Sequence, residues 1–72
     1  MKNQLTVETK VVKKYGVTAA VVLAVINQSY EPMTTTEMAN AIGVSYPTAQ
    51  KNLQILAASK LVKSDGKAFS KI

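Results

Sequence analysis

Within 23 residues, from Thr34 to Leu56, the sequence carries two helix-start signals separated by one stop. Thr34, Thr35 and Thr36 offer hydroxyl N-caps, and Glu37 lies in the first turn, where a carboxylate meets the positive end of the helix dipole. Met38, Ala39 and Ile42 then share one inward face, and Gly43 ends the helix. Only Val44 intervenes before Ser45 caps a second helix. Pro47 falls in its first turn, where a missing amide costs nothing. Ala49, Leu53, Leu56 and Ala57 follow at helical spacing. A chain so punctuated must place two short helices at a sharp angle, with small Ala39 allowing close approach and Val44 plugging the corner.

The flanking segments supply a third helix and a hairpin. Residues 17 to 26 are apolar except for Thr18, about half the roughly 20 residues that a bilayer crossing needs. No leader pattern accompanies them, so a cytoplasmic protein is expected. The β-branched Val21, Val22, Val25 and Ile26 also suit a buried strand. Ala19, Ala20 and Ala24, with a length of about three turns, favour a helix over residues 18 to 29, capped by Thr18. Its apolar stripe is Ala19, Val22, Leu23, Ile26 and Tyr30. Val21 and Val25 lie off that stripe and need cover from the N-terminal segment or from a second copy of the chain.

Upstream, residues 1 to 9 suit a strand or a helical turn and are read as an arm. Residues 10 to 15 form a short helix with Val11, Val12 and Tyr15 on one face, closed by Gly16. Glu31-Pro32 breaks the chain after the apolar helix, and Met33 turns toward the core. Near the end, Asp65-Gly66 divides two alternating runs, the signature of a hairpin with a type I′ turn. The domain therefore divides into residues 1–16, an arm with a short helix, and residues 17–72. The latter hold helices over 18–29, 35–42 and 45–58 and a hairpin over 61–72.

Cys, His and Trp are absent, which removes disulfides, thiol nucleophiles, imidazole bases and the usual zinc ligands. No catalysis, metal or cofactor is expected. All nine basic residues are lysine, against Glu8, Glu31, Glu37 and Asp65. Residues 1–30 carry +3, residues 31–50 carry −2 and residues 51–72 carry +4, which sum to the net +5. A pI near 9.7 with lysines gathered at both ends favours a polyanionic partner, although lysines on a solvated surface look the same.

The run Ala39-Asn40-Ala41-Ile42-Gly43-Val44-Ser45-Tyr46-Pro47-Thr48-Ala49, continuing through Leu53, Leu56 and Lys60-Leu61-Val62, resembles the winged helix-turn-helix of small bacterial and phage transcriptional regulators. The resemblance covers residues 33 to 72, about three quarters of the chain when the apolar helix is added. It implies a mainly α fold with a three-helix core and a small β-hairpin wing. It also implies double-stranded DNA as partner, a recognition helix in the major groove, the wing on the backbone, and repression by occlusion. With Ala49, Leu53 and Leu56 inward, the outward residues at the start of that helix are Tyr46, Pro47, Thr48, Gln50, Lys51 and Gln54. With Ser45 at the cap, these are the candidate DNA contacts.

Gln50 or Gln54 suits bidentate pairing with adenine, Lys51 suits guanine or phosphate, and Thr48 or Tyr46 suits phosphate or a thymine methyl. Lys63 and Lys67 flank the wing turn and suit the backbone. Lys10, Lys13 and Lys14 make a second basic patch. The lack of arginine departs from the family pattern and lowers the expectation of guanine readout.

Two other functions fit the same residues. Lys13-Lys14-Tyr15-Gly16-Val17 leading into an apolar helix is similar to N-terminal modules of phage and plasmid replication initiators, which implies origin binding. A winged helix turned to protein partners would use residues 17 to 26 or the Tyr46-Pro47 corner. A homodimer, or cooperative assembly on DNA, is expected with the DNA-binding readings.

Overall fold

In the computed structural model, which describes residues 7 to 72, the chain forms four helices and a three-stranded antiparallel sheet. Helix α1 (Thr9–Tyr15) meets α2 (Val17–Gln28) across the single residue Gly16. A short strand β1 (Met33–Thr34) leads into α3 (Thr35–Ile42), followed by α4 (Tyr46–Ala58) and the hairpin β2 (Val62–Asp65) and β3 (Ala68–Lys71). Residues 1 to 6 of the expected arm lie outside the described residues.

The core forms where α2 packs against α1 and α4, α3 packs on α4, and the sheet closes the remaining side. Val22, Ile26, Met38, Leu53 and Leu56 are the largest fully buried side chains. Burying each contributes about 1.5–3 kcal/mol. Val11 from α1 belongs to the same cluster, with Val12, Tyr15 and Val25 packed against it. Thus α1 covers part of the second apolar side of α2. The helix reading of the β-branched run holds, since Ala19, Ala20 and Ala24 let neighbouring backbones close on it.

Capping explains the helix boundaries. Thr34 and Glu37 form a reciprocal capping box: the Glu37 amide donates to Thr34 Oγ1 at 3.1 Å, and the Thr34 amide donates to Glu37 Oε1 at 2.9 Å. Gly43 ends α3 in the left-handed region, and the amides of Gly43 and Val44 both donate to the Ala39 carbonyl, at 2.9 and 3.1 Å. Only a residue without a β-carbon takes that corner freely.

Four expectations are corrected. Thr18 does not cap α2. The Gly16 carbonyl already accepts the Ala20 amide at 3.2 Å, so the helix begins at Val17 and Thr18 is left exposed in its first turn. Tyr30 does not extend the buried stripe. Ser29 turns extended at φ −85°, ψ 134°, helical periodicity ends, and Tyr30 is 95% exposed with Lys71 Nζ 5.4 Å from its ring centroid. The hairpin turn is displaced by one residue: Asp65 pairs with Ala68, leaving Gly66-Lys67 as the loop. Gly66 alone of those two has positive φ, which is the type II′ pattern rather than I′. Finally, the wing has a third strand, because Met33 pairs with Phe69 and Thr34 with Ala68.

The end of α4 carries a conformational cost. The Leu61 amide donates to the Leu56 carbonyl at 2.9 Å and the Lys60 amide to the Ala57 carbonyl at 3.0 Å, a Schellman closure with Lys60 at φ 62°. Lysine replaces the glycine usual at this position, at a cost of about 1 kcal/mol. Lys60→Gly is therefore expected to raise the melting temperature by a few degrees. An unchanged or lower melting temperature would count against this closure.

Candidate nucleic-acid interface

The second helix-start signal sets the geometry of the site. Ser45 caps α4: the Thr48 amide donates to Ser45 Oγ at 3.4 Å, and the Ser45 hydroxyl donates to Thr48 Oγ1 at 2.9 Å. These two hydroxyls hold the start of the helix. Pro47 fits the first turn, and Asn52 Nδ2 donates to the Thr48 carbonyl at 2.8 Å along one flank. Ala49, Leu53 and Leu56 anchor the opposite side in the core, so the remaining surface of α4 faces outward.

At about 100° per residue, that outward surface divides into rows. Tyr46, Gln50 and Gln54 form one row and line a groove of about 580 Å³ between α4 and the wing. Lys67, at the wing turn, lines the same groove, as do Thr34 and Thr36 at the start of α3. Pro47 and Lys51 stand on the exposed crest of α4 beside this row. Thr48 falls on the far flank. The nine candidate residues are therefore not one cluster, and four of them, Tyr46, Gln50, Gln54 and Lys67, are brought together.

The two wing lysines also separate. Val62, Ser64 and Phe69 share the sheet face turned to the helices, since Ser64 is the cross-strand partner of Phe69. Lys63, one residue away on β2 and paired with Ser70, points to the outer face together with Asp65. Lys67 at the turn reaches the groove directly.

In the sequence, Thr34 and Thr36 announce themselves only as helix caps. They reach the groove because β1 pairs with β3, which carries the first turn of α3 to the root of the wing. A two-residue strand has no periodicity to announce it. The only available signal was the extended geometry that Pro32 favours around it.

The groove offers amide and hydroxyl hydrogen-bonding groups from α4 and α3 and one lysine ammonium group, that of Lys67, from the wing turn. Glutamine amides can read base edges, and ammonium groups can meet phosphates. Among the described residues, no helix is long and apolar enough to cross a membrane.

Comparison with curated proteins and with solved structures gives no match. The Helix-turn-helix domain family, by contrast, matches residues 17–65, more than half of the chain and the whole span from α2 to β2. With the capped α3, the glycine corner, the seated α4 and the first wing strand in one continuous match, and β3 completing the wing beyond it, the chain belongs to the helix-turn-helix domain family of DNA-binding proteins, in its winged form.

Proposed function

We propose that the protein binds double-stranded DNA with sequence preference, lays α4 in the major groove, and acts as a small transcriptional regulator by occluding its site. The observation that carries this is the row Tyr46, Gln50 and Gln54 facing Lys67 across the groove. Neutral base-reading groups come from α4 and positive charge from the wing turn. The major groove, about 12 Å wide, admits a helix of about 10–12 Å diameter, so the crest residue Lys51 meets the duplex as α4 enters. Gln50 and Gln54 are suited to adenine edges, and without arginine, guanine readout falls to Lys51 alone. Occlusion needs no effector domain, and the number of copies on a site is read from the stoichiometry of the complex.

The test is fluorescence anisotropy of a labelled mixed-sequence duplex at two salt concentrations about fourfold apart. Micromolar binding that weakens steeply with salt is expected, since each neutralised phosphate adds about 0.9 to the slope of log affinity against log salt. No binding at low salt would overturn the proposal and favour a protein partner. Lys67→Ala is expected to reduce the slope by about one unit on every sequence. Lys63→Ala, on the outer face of the wing, is expected to change it less. Equal effects would mean that the two wing lysines meet the same strand of backbone.

A further inference from the structure

A second lysine cluster lies on the other side of α4. Tyr15, the last residue of α1, is half-buried and its phenol neighbours the side chain of Ser59, so the end of α1 lies beside the end of α4. Lys14 Nζ lies 5.4 Å from the centroid of the Tyr15 ring, so the ammonium is held against this junction. Lys13 precedes it in the same exposed last turn. Lys60 follows Ser59 directly, with its exposed side chain launched from a left-handed backbone. Helix-dipole compensation suits lysines at the C-terminal ends of both α1 and α4, but it does not require the two ends to meet.

No carboxylate belongs to this junction. Glu8 precedes the other end of α1, about 10 Å away along a seven-residue helix. Glu31 and Glu37 sit before and within α3, and Asp65 is in the wing. The Tyr15 phenol is held below its ordinary pKa, first by the hydrogen bond from Ser59 and further by Lys14, against the opposing effect of desolvation.

The placement relative to α4 gives the cluster its meaning. By helical rotation, Ser59 lies on the flank of Thr48 and Asn52, roughly opposite the row of Tyr46, Gln50 and Gln54, with Lys51 on the crest between them. The wing borders one flank of α4 and the end of α1 borders the other. A helix lying in the major groove has a phosphodiester strand along each side. We infer that Lys14 and Lys60, with Lys13 beside them, form a second backbone clamp that holds the strand opposite the one met by the wing. The clamp rests on the docking proposed above. It doubles the electrostatic contact of a domain that has no arginine.

The experiment compares the full chain with Lys14→Gln/Lys60→Gln, with Lys67→Ala, and with Lys71→Gln as a control for lost charge away from the cluster, all on the same mixed-sequence duplex. The cluster variant is expected to lower the salt slope by nearly two units, so that its affinity drops about tenfold less than wild type across a fourfold rise in salt. Lys71→Gln is expected to keep the wild-type slope. A cluster variant indistinguishable from Lys71→Gln, while wild type and Lys67→Ala still differ, would overturn the second clamp and leave the docking of α4 intact. Loss of all wild-type binding at low salt would instead overturn both. Thermal melts verify folding of each variant. Lys13→Gln/Lys14→Gln provides an independent variant on α1 alone, and an unchanged slope there together with an unchanged slope in the first variant also overturns the clamp.

Discussion

Leu53→Ala is expected to lower the melting temperature by at least about 10 °C, and to leave much of the protein unfolded at 37 °C. Leu53 is fully buried, in the centre of the face by which α4 is seated on the core. Truncation there removes the burial free energy and leaves a cavity, together about 2–5 kcal/mol. A 72-residue domain holds only roughly 4–11 kcal/mol in total, at about 0.05–0.15 kcal/mol per residue. For a domain of this size each kcal/mol shifts the midpoint by about 4–8 °C. Leu53→Met keeps the volume and should cost less than about 1.5 kcal/mol. Thermal unfolding followed by circular dichroism checks both variants, and a melting temperature for Leu53→Ala within a few degrees of wild type would mean that α4 is not anchored there. DNA affinity should fall in parallel with the folded fraction.

Gly16→Ala is expected to cost about 1–3 kcal/mol without any steric clash. Gly16 sits at φ 99°, ψ 167°, a region that L-residues with a β-carbon essentially do not occupy. A β-carbon built at this position meets nothing within 4 Å, so the whole penalty is conformational. The residue also joins two helices by itself: its amide donates to the Val12 carbonyl at 2.9 Å and its carbonyl accepts from Ala20. Alanine favours running α1 and α2 into one straight helix, which would pull Val11 out of the core. Denaturant unfolding gives the magnitude, and chemical synthesis with D-alanine at position 16 separates the causes. D-alanine, which prefers positive φ, should restore wild-type stability, whereas a loss equal to that of L-alanine would point to a packing cause instead. Gly43 offers a contrast, because φ 73°, ψ 38° is a region that asparagine tolerates. Gly43→Asn should therefore be milder than Gly43→Val.

What was legible in the sequence was what local chemistry decides. Ser45, Pro47 and Gly43 fixed the limits of α3 and α4 because caps and breakers act within one turn. The inward set of Ala49, Leu53 and Leu56 followed from helical spacing alone. The outward set was equally plain, but its division was not. Gln50 and Gln54 share a groove with Lys67, while Thr48 and Lys51 do not, because the partner surface comes from a hairpin whose position depends on β1. The displaced turn has the same origin. Asp65-Gly66 names a tight turn, but whether aspartate is the last strand residue or the first loop residue depends on cross-strand pairing with Ala68. Tyr30 misled because Ser29 leaves the helix one step before the periodic stripe would have used it. Lys60 gave no local warning at all, since lysine is neither a cap nor a breaker, and only its following Leu61 closure requires it to turn left-handed.

Thr34 is both the last residue of β1 and the cap of α3, so the sheet that holds the hairpin and the helix-turn-helix share a residue. A wing attached only through its own two strands would sample many orientations and would have to be immobilised by the duplex, at a loss of entropy on every encounter. Here the ladder between Met33 and Phe69 has already fixed the hairpin relative to the helices before any duplex arrives. In the docking proposed above, the protein would meet DNA as a template set in advance, a site would be selected by whether its backbone spacing already matches that template, and a duplex that must be bent to fit would bear the deformation itself.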